Sequence, residues 1–207
     1  IFQHNSSLPL IAENDTYQKI LKPKLTFKAA PNHTKDERNE ERKIDITNIY
    51  SINRAVEKNS IEGGLSLAYG FDYSLLNKLE NREILNFKMA SNFRIEENDD
   101  LTNSNQIGEK NSNLFSEISY SPYDFFTAKY VSSLKNNIKD IDNENLTTEL
   151  KFNNFITTLD YLNENNSSEK NSYISNTTSF SLDNSNSLKF STRENKTKDL
   201  TEYYNFM

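Results

Sequence analysis

Few residues of this sequence have the types and spacing that catalysis or metal binding requires. The two histidines, His4 and His33, lie in polar segments without a second ligand at helical spacing. The acidic run at 96–100 lacks the alternating pattern and turn glycine of a calcium loop, so it is more typical of a solvated charge run. Gly63 and Gly64 precede no helical pattern and therefore do not indicate a phosphate loop. We predict no enzyme, no metal site and no cofactor.

Charged residues instead recur at alternate positions, where they would share one face of a strand. The lysines among them could attract an anionic headgroup along a hydrated path. The alternative is that the lysines only neutralise carboxylates on the same face of the sheet, since exposed ion pairs contribute little to stability. No catalytic geometry follows from the carboxylates. The candidates for a lumen-facing surface are Lys24, Lys28, Asp72, Glu117, Lys129, Glu149, Lys151 and Lys189.

The segment 62–75 shows most clearly which element would position such residues. From Leu65 to Leu75 one parity is wholly apolar, whereas the other parity is small or polar. Successive side chains of a strand point to opposite faces, so this pattern predicts a strand with one apolar face. Ordinary strands have about 5–6 residues, whereas a strand that crosses a bilayer has about 9–11. The length of 65–75 favours a membrane strand.

The same alternation predicts about ten spanning strands. Long connections are expected at 31–60 and 96–113, and tight turns at 121–124, 153–154 and 183–186. The apolar patch 44–50 could be a short strand or a helical turn, but the alternation of turns and loops requires that it does not span. Pro23 is expected near a strand start or at a sheet edge. The strands are predicted at 17–30, 61–75, 83–95, 114–121, 125–134, 146–152, 155–162, 172–182, 187–193 and in the residues before Met207.

Short and long connections alternate along this prediction, as they do in up-and-down outer-membrane barrels. We therefore predict an all-β, antiparallel up-and-down meander that forms a segment of a large transmembrane β-barrel, with 1–207 part of one outer-membrane barrel domain. Since the chain starts at Ile1 without methionine and stops within a strand-like run, we expect it to be a fragment truncated at both ends.

The composition is compatible with this architecture. The formal net charge of −6 argues against a nucleic-acid surface. The chain is only 34% hydrophobic with a mean hydropathy of −0.82, which would also fit disorder. However, a barrel with a wet lumen needs only one apolar face, and the aromatic residues occur at alternate positions. Without cysteine, neither disulfides nor thiolate metal sites are possible.

A soluble antiparallel sandwich would show the same alternation. Against it, the predicted inward side chains are often charged, and the strands follow one another as successive hairpins. Aromatic residues on the apolar parity also lie near strand ends, which suits the girdle at a membrane interface. These are Tyr73, Tyr120, Phe126, Tyr161 and Phe180.

Several motifs carry a more specific signal: L-K-P-K-L-T-F at 21–27, A-P-N at 30–32, N-I-Y-S-I-N-R at 48–54, I-E-G-G at 61–64 and L-T-E-Y-Y at 200–204. Together they resemble the C-terminal barrel of the LptD family, the lipopolysaccharide-assembly outer-membrane proteins also called organic solvent tolerance proteins. The resemblance implies a translocon of the bacterial outer membrane that inserts lipopolysaccharide into the outer leaflet. It also implies a lipoprotein plug of the LptE type and a periplasmic bridge protein of the LptA type.

Two alternatives remain open from the sequence. One is a generic porin or receptor barrel, which shares the fold. The other is a secreted carbohydrate-binding or adhesin β-sandwich.

Overall fold

The computed structural model describes residues 1–39, 43–54, 61–165, 170–183 and 186–207. Within these ranges the chain is all-β, with one short 3-10 turn at Ser104–Gln106. No helix in the described ranges is long and apolar enough to cross a membrane. The strands are β1 Phe2–Ser7, β2 Leu10–Glu13, β3 Tyr17–Ala30, β4 Gly64–Asn77, β5 Arg82–Arg94, β6 Leu114–Tyr123, β7 Phe126–Leu134, β8 Ile141–Phe152, β9 Phe155–Asn165, β10 Lys170–Ser181, β11 Ser187–Asn195 and β12 Leu200–Phe206.

The described strands form a single antiparallel sheet of twelve strands. From β3 onward every strand pairs with the next one in sequence, so the predicted up-and-down meander is confirmed. The sheet is open, with β1 and β2 at one edge and β12 at the other among the described strands. In these ranges no second sheet packs on this one, so the described strands do not form a β-sandwich.

The first strand along the edge is broken in two. Both β1 and β2 pair with β3, and the break at Leu8 and Pro9 lies opposite Pro23. The Leu8 amide still donates to the Pro23 carbonyl at 3.2 Å. Because Pro23 has no amide hydrogen to return that bond, the ladder is weakest where the strand breaks. Pro23 lies in the middle of β3, so the expectation of a strand start was wrong, but it faces the break in the edge strand.

The strands of the second half are longer than their apolar pattern indicates. β8 begins at Ile141 rather than at 146, β9 extends to Asn165 rather than 162, and β10 begins at Lys170 rather than 172. The connection between β7 and β8 is consequently reduced to 135–140. Pairing continues into polar residues at this end because the backbone ladder does not require apolar side chains. Sequence alternation located the centres of these strands better than their ends.

The connection 31–60 has no strand in its described residues, and the patch 44–50 ends in successive turns from residue 46 onward. Residues 40–42 and 55–60 of this connection lie outside the described residues, as do 166–169 and residues 184–185 of the predicted turn 183–186.

The register gives the sheet two continuous faces. We call the face that carries Ser66, Ala68 and Asp72 the polar face, and the face that carries Leu67 and Tyr69 the apolar face. The cross-strand partners Asp72, Lys88 and Glu117 extend the polar face from β4 to β6, and the register continues the same face to Lys189 of β11. All eight charged residues singled out from the sequence lie on the polar face.

Candidate functional site

Two connecting segments fold over the polar face of the first half. Residues 43–54 and 95–113 supply apolar side chains that pack against small or apolar residues of β4, β5 and β6. Small side chains on the polar face let the segments approach the strands closely. The resulting core is formed by Ile44, Ile46, Ile49, Ala68, Ala90, Leu101, Ile107 and Phe115, with Tyr50 packed beside it.

Gly70 leaves the space in which Tyr50 of the first segment approaches the wall. A Cβ at Gly70 would lie 2.5 Å from the Tyr50 hydroxyl and would overlap the Met89 carbonyl oxygen. The Lys24 ammonium lies 5.5 Å from the centre of the Tyr50 ring, within cation–π range. Burial, together with the charge of Asp72, raises the pKa of the Tyr50 hydroxyl above its ordinary value. Tyr50 thus lies neutral against the wall.

A buried ion cluster fastens the first segment to three strands. The Glu62 carboxylate accepts hydrogen bonds from Lys28 Nζ at 2.8 Å, from Arg54 Nη2 at 2.8 Å and Nε at 3.1 Å, and from Arg94 Nη1 at 2.6 Å. Lys28 belongs to β3 and Arg94 to β5, while Arg54 also donates to Ser66 Oγ of β4 at 2.8 Å. We call Lys28, Arg54, Glu62 and Arg94 the Glu62 cluster.

The Glu62 cluster is almost inaccessible to solvent, since each of its side chains is 0–2% exposed. Three cations meet one carboxylate, so backbone carbonyls complete their coordination. Lys28 donates to Ile52 O at 2.6 Å, Arg54 to Ile49 O at 3.0 Å, and Arg94 to Gly63 O. Buried cations are tolerated only when they are paired and hydrogen-bonded in this way.

The electrostatics of the cluster keep Glu62 ionised. Burial raises the pKa of the Glu62 carboxyl, but Arg54, by charge and hydrogen bond, and the charges of Lys28 and Arg94 outweigh burial. The net result is a Glu62 pKa well below its usual range. A carboxylate that stays charged in a closed site holds its cations permanently and is not suited to exchange protons as a general acid or base near neutral pH.

The glycines and Thr34 join the cluster to the second segment. Gly64 has φ +88°, and a Cβ there would lie 2.9 Å from Arg94 Nη2. Gly63 has no space for a side chain, since a Cβ there would lie 2.7 Å from a backbone carbonyl oxygen, and its amide donates to Thr34 Oγ1 at 2.9 Å. Asn98 of the second segment donates to the same hydroxyl oxygen at 2.7 Å. The two segments therefore form one layer over the polar face.

Of the eight predicted residues, four are paired on the wall. Lys24 forms an ion pair with Asp72. Glu117 binds Lys129 at 3.0 Å and also Lys88 at 2.7 Å, a residue that the sequence did not single out. These pairs agree with lysines that neutralise acids of the same wall. That any of the eight faces a lumen stays a prediction.

The other predicted residues are separated from those pairs. Lys28 is buried beneath the first segment as part of the Glu62 cluster. Glu149, Lys151 and Lys189 are exposed, and within the described residues no ion pair joins them to another of the eight. Sequence analysis missed Arg54, Glu62 and Arg94 as a site. The motifs at 48–54 and 61–64 pointed to the first two, but nothing marked Arg94 as their partner.

Most of the polar face of the second half is open, although both segments reach β8 and β9 at the end away from the tight turns: Asn113 donates to Asp142 at 3.1 Å, and Lys43 lies 3.4 Å from the Glu164 carboxylate. The described connections 135–140 and 196–199 contribute no buried side chain to it. Hydroxyl and carboxylate groups here bond across strands, as Thr147 does to Asp160 at 2.7 Å. The Arg193 guanidinium lies 4.0 Å from the centre of the Tyr173 ring and 3.1 Å from the Glu202 carboxylate. This half presents a polar, hydrogen-bonding surface.

The apolar face exposes many large side chains along the whole sheet, including Leu25, Tyr69, Phe93 and Leu159 at 40–45%. Soluble monomers rarely expose apolar patches of this extent. At about 3.3 Å per residue and a tilt of about 40°, the apolar row from Leu65 to Leu75 rises about 25 Å, the height of the apolar band of outer-membrane barrels. The apolar face therefore suits hydrocarbon.

Aromatic residues also line the end of the sheet where the tight turns lie. Tyr123 and Phe125 stack at 5.1 Å, and Phe125 stacks on Phe152 at 5.4 Å between ring centres. Such rings mark the membrane interface in β-barrels. No group of three or more histidine or acidic side chains that could hold a metal occurs in the ranges the structure describes.

Comparison with known proteins agrees with this geometry. The family model described as LptD, LPS transport system D, matches residues 1–193. No curated protein matches the chain. The family is one of outer-membrane β-barrels with a role in lipopolysaccharide transport, and both the all-β meander and the two-faced sheet fit it. The chain belongs to the LptD family.

Proposed function

We propose that this chain forms part of the wall of an outer-membrane translocon that inserts lipopolysaccharide into the outer leaflet. The two-faced sheet is the observation that carries the proposal. A glycolipid with an anionic headgroup requires a hydrated path for the headgroup and an apolar environment for its acyl chains. The polar and apolar faces supply these two environments on opposite sides of one wall.

The uncovered half of the polar face is the better candidate for the hydrated path. Lys28 is enclosed in the Glu62 cluster, so it is not accessible to a headgroup. Lys151 and Lys189 are exposed on the same face, and Arg193 follows Lys189 four residues later on β11. These cations would attract phosphate and carboxylate groups over several ångströms.

The partners that we propose follow from family membership. They are a lipoprotein plug of the LptE type, a periplasmic bridge protein of the LptA type, and lipopolysaccharide as the substrate, all at the bacterial outer membrane. We place such a plug or substrate against the polar face of β8–β12, because part of the corresponding face of β3–β6 is covered.

Charge reversal in cells tests the proposed path. We expect Lys151→Glu combined with Lys189→Glu to lower surface lipopolysaccharide several-fold relative to total lipopolysaccharide, measured by labelling intact cells. Lys139→Glu combined with Lys198→Glu is the matched control, since it makes the same charge change in the exposed connections. Equal surface labelling in both double variants would remove the hydrated path from the proposal.

Depletion of the protein separates translocation from a generic porin. A translocon predicts that surface lipopolysaccharide falls on depletion while newly made lipopolysaccharide accumulates inside. A porin or receptor barrel predicts unchanged delivery and altered solute uptake.

A further inference from the structure

The apolar face is taller on some strands than on others, and the register allows the heights to be compared. On β4 it extends without interruption from Leu75 near the tight turn to Leu65 at the opposite end. On β8 the same face carries Phe152, Leu150, Thr148 and Leu146, and the next residue on it is Glu144. The apolar band thus spans ten residue steps on β4 but only six on β8.

Strand stagger does not account for the difference. With strands about 4.8 Å apart and tilted by about 40°, the membrane plane shifts by roughly one residue per strand. Both boundaries of the band should therefore move by about four residues between β4 and β8, in the same direction. The cross-strand partners that the register gives define the shift of each boundary. The lower boundary moves four residues between Leu75 of β4 and Phe152 of β8. The upper boundary moves eight residues between Leu65 of β4 and Leu146 of β8. On β8 the band is shortened only at its upper end.

The shortening continues across neighbouring strands. Eight residues above the lower boundary, β4 and β5 carry Leu67 and Phe93, which are cross-strand partners. Eight residues above Phe152, β8 carries Glu144, and its cross-strand partners on β9 and β10 are Asn163 and Ser172, which the stagger places about one and two residues higher. We call these three residues the polar row.

The polar row is a hydrogen-bonded feature of the surface. Tyr130 donates to Glu144 at 2.8 Å, and Asn163 donates to the other Glu144 oxygen at 3.1 Å. Below it, Asn176 donates to Thr157 at 3.2 Å, and Thr157 bonds Thr178 at 2.9 Å on the same face. A carboxylate with polar neighbours favours the headgroup region over hydrocarbon.

We propose that β8–β10 locally thin the membrane on the side away from the tight turns. Six residue steps at about 3.3 Å and a tilt of about 40° give an apolar band of roughly 15 Å, about 10 Å less than β4 provides. A short band is accommodated by thinning of the surrounding bilayer. Tight turns face the periplasm in this architecture, so the affected side is the outer leaflet.

Local thinning of the membrane would assist the delivery of lipid beside this surface. Thinned lipid has less ordered acyl chains, so a glycolipid arriving beside β8–β10 meets a lower barrier to joining the leaflet. This connection to lipopolysaccharide rests on the proposed function, whereas the thinning depends only on the bilayer and the protein surface.

Spin labels at matched heights test the thinning directly. Single cysteines would replace Phe93 and Asn163, with Tyr73 and Thr178 near the tight turns as the control pair, in the membrane-inserted protein reconstituted into phosphatidylcholine vesicles. We expect the label at 93 to be accessible to oxygen and the label at 163 to a water-soluble nickel complex. Both control labels should be accessible to oxygen. Oxygen accessibility at 163 equal to that at 93 would overturn the proposal.

A second variant connects thinning to delivery. Glu144→Leu, Asn163→Leu and Ser172→Leu together extend the apolar band, and we expect surface lipopolysaccharide to fall several-fold in cells. The control carries Asn143→Leu and Glu164→Leu, which change the polar face at the same height. If the labels show thinning but the triple variant delivers normally, the thinning stands and its role in delivery is rejected. If the labels show no thinning, the inference fails whatever the transport result.

Discussion

The strands β3–β6 and β8–β11 belong to one sheet, but their polar faces differ in how far the connections cover them. On β3–β6 the connecting segments cover that face and seal the Glu62 cluster, while the apolar face is tall. On β8–β11 the described connections leave most of the polar face uncovered, Glu149, Lys151 and Lys189 are exposed, and the apolar face of β8 is short. The first half is therefore a covered and closely packed wall, whereas the second half leaves most of its polar face accessible.

The difference arises from the residues that strands present to the connections. Ala68, Gly70 and Ala90 leave space into which Tyr50 and the isoleucines of the first segment fit. The equivalent face of β8–β10 carries longer side chains such as Glu149, Asp160 and Tyr173, and its described connections are too short to fold back. A covered face thus requires both small wall residues and long connections.

The largest effect is expected from Glu62→Gln. This change preserves shape but leaves three buried cations without their counter-charge, which costs about 3–5 kcal/mol of unfolding free energy. The measurement is denaturant unfolding of the membrane-inserted protein. Glu149→Gln on the open face is the control and should change stability by less than about 0.5 kcal/mol. Similar values for the two variants would mean that the covered half is no more fixed than the open one.

A smaller loss of stability is expected when a side chain is inserted between the first segment and the strands beneath it. Gly70→Val places methyl groups where Tyr50 and the Met89 carbonyl lie, at a cost of about 1–3 kcal/mol typical of overpacking. Ser175→Val, on the open polar face of β10, is the matched change. Proteolysis at Lys43 or Arg54 should become faster only in Gly70→Val. Equal rates in both variants would contradict close packing of the first segment.

The pH dependence of stability tests whether the Glu62 cluster holds its carboxylate ionised. Because the folded-state pKa of Glu62 lies below its ordinary value of 4.5, its contribution is fully present above about pH 4.5 and is lost only as the pH falls further. Unfolding measured from pH 7 to pH 3 should show an acid-side decline in the wild type that is shallower in Glu62→Gln. Parallel curves would show that Glu62 is not held ionised by the cluster.

The smallest effect is expected from the exposed pairs. Lys129 is 48% exposed, and Glu117 keeps Lys88 when Lys129 is lost. Lys129→Gln should therefore cost no more than about 1 kcal/mol, and the cost should shrink in high salt. Unfolding in low and high salt checks this. A loss as large as that of Glu62→Gln would show that exposed pairs also fix the wall.

The sequence was sufficient to predict the meander and its two faces. The alternation from Leu65 to Leu75 depends only on strand geometry, and each later strand repeats it, so the faces follow from local pattern. The position of Pro23 and the ends of β8, β9 and β10 could not be predicted, because backbone pairing extends into polar residues without a mark in hydropathy.

The Glu62 cluster was also beyond prediction from the sequence alone. Arg54, Glu62 and Arg94 look like solvated charges, and only the fold brings a connection and three strands together around them. Burial, not residue type, makes them a site. The polar row was equally hidden, since Glu144, Asn163 and Ser172 are separated in sequence and become neighbours only through the register.

The way that Glu62 reaches its partners has a consequence for the order of folding. Most hairpins of the meander pair residues close in sequence, but β3 and β4 are joined by the long connection 31–63, and their register pairs residues 34 to 60 positions apart, from Ala30↔Gly64 to Tyr17↔Asn77. Glu62 contacts Lys28 and Arg94 at comparable separations of 34 and 32 residues, and both strands must be aligned for it to bind them. We therefore expect the cluster to close together with, or after, the pairing of β3, β4 and β5. Its formation marks the moment when this part of the wall has acquired its correct register.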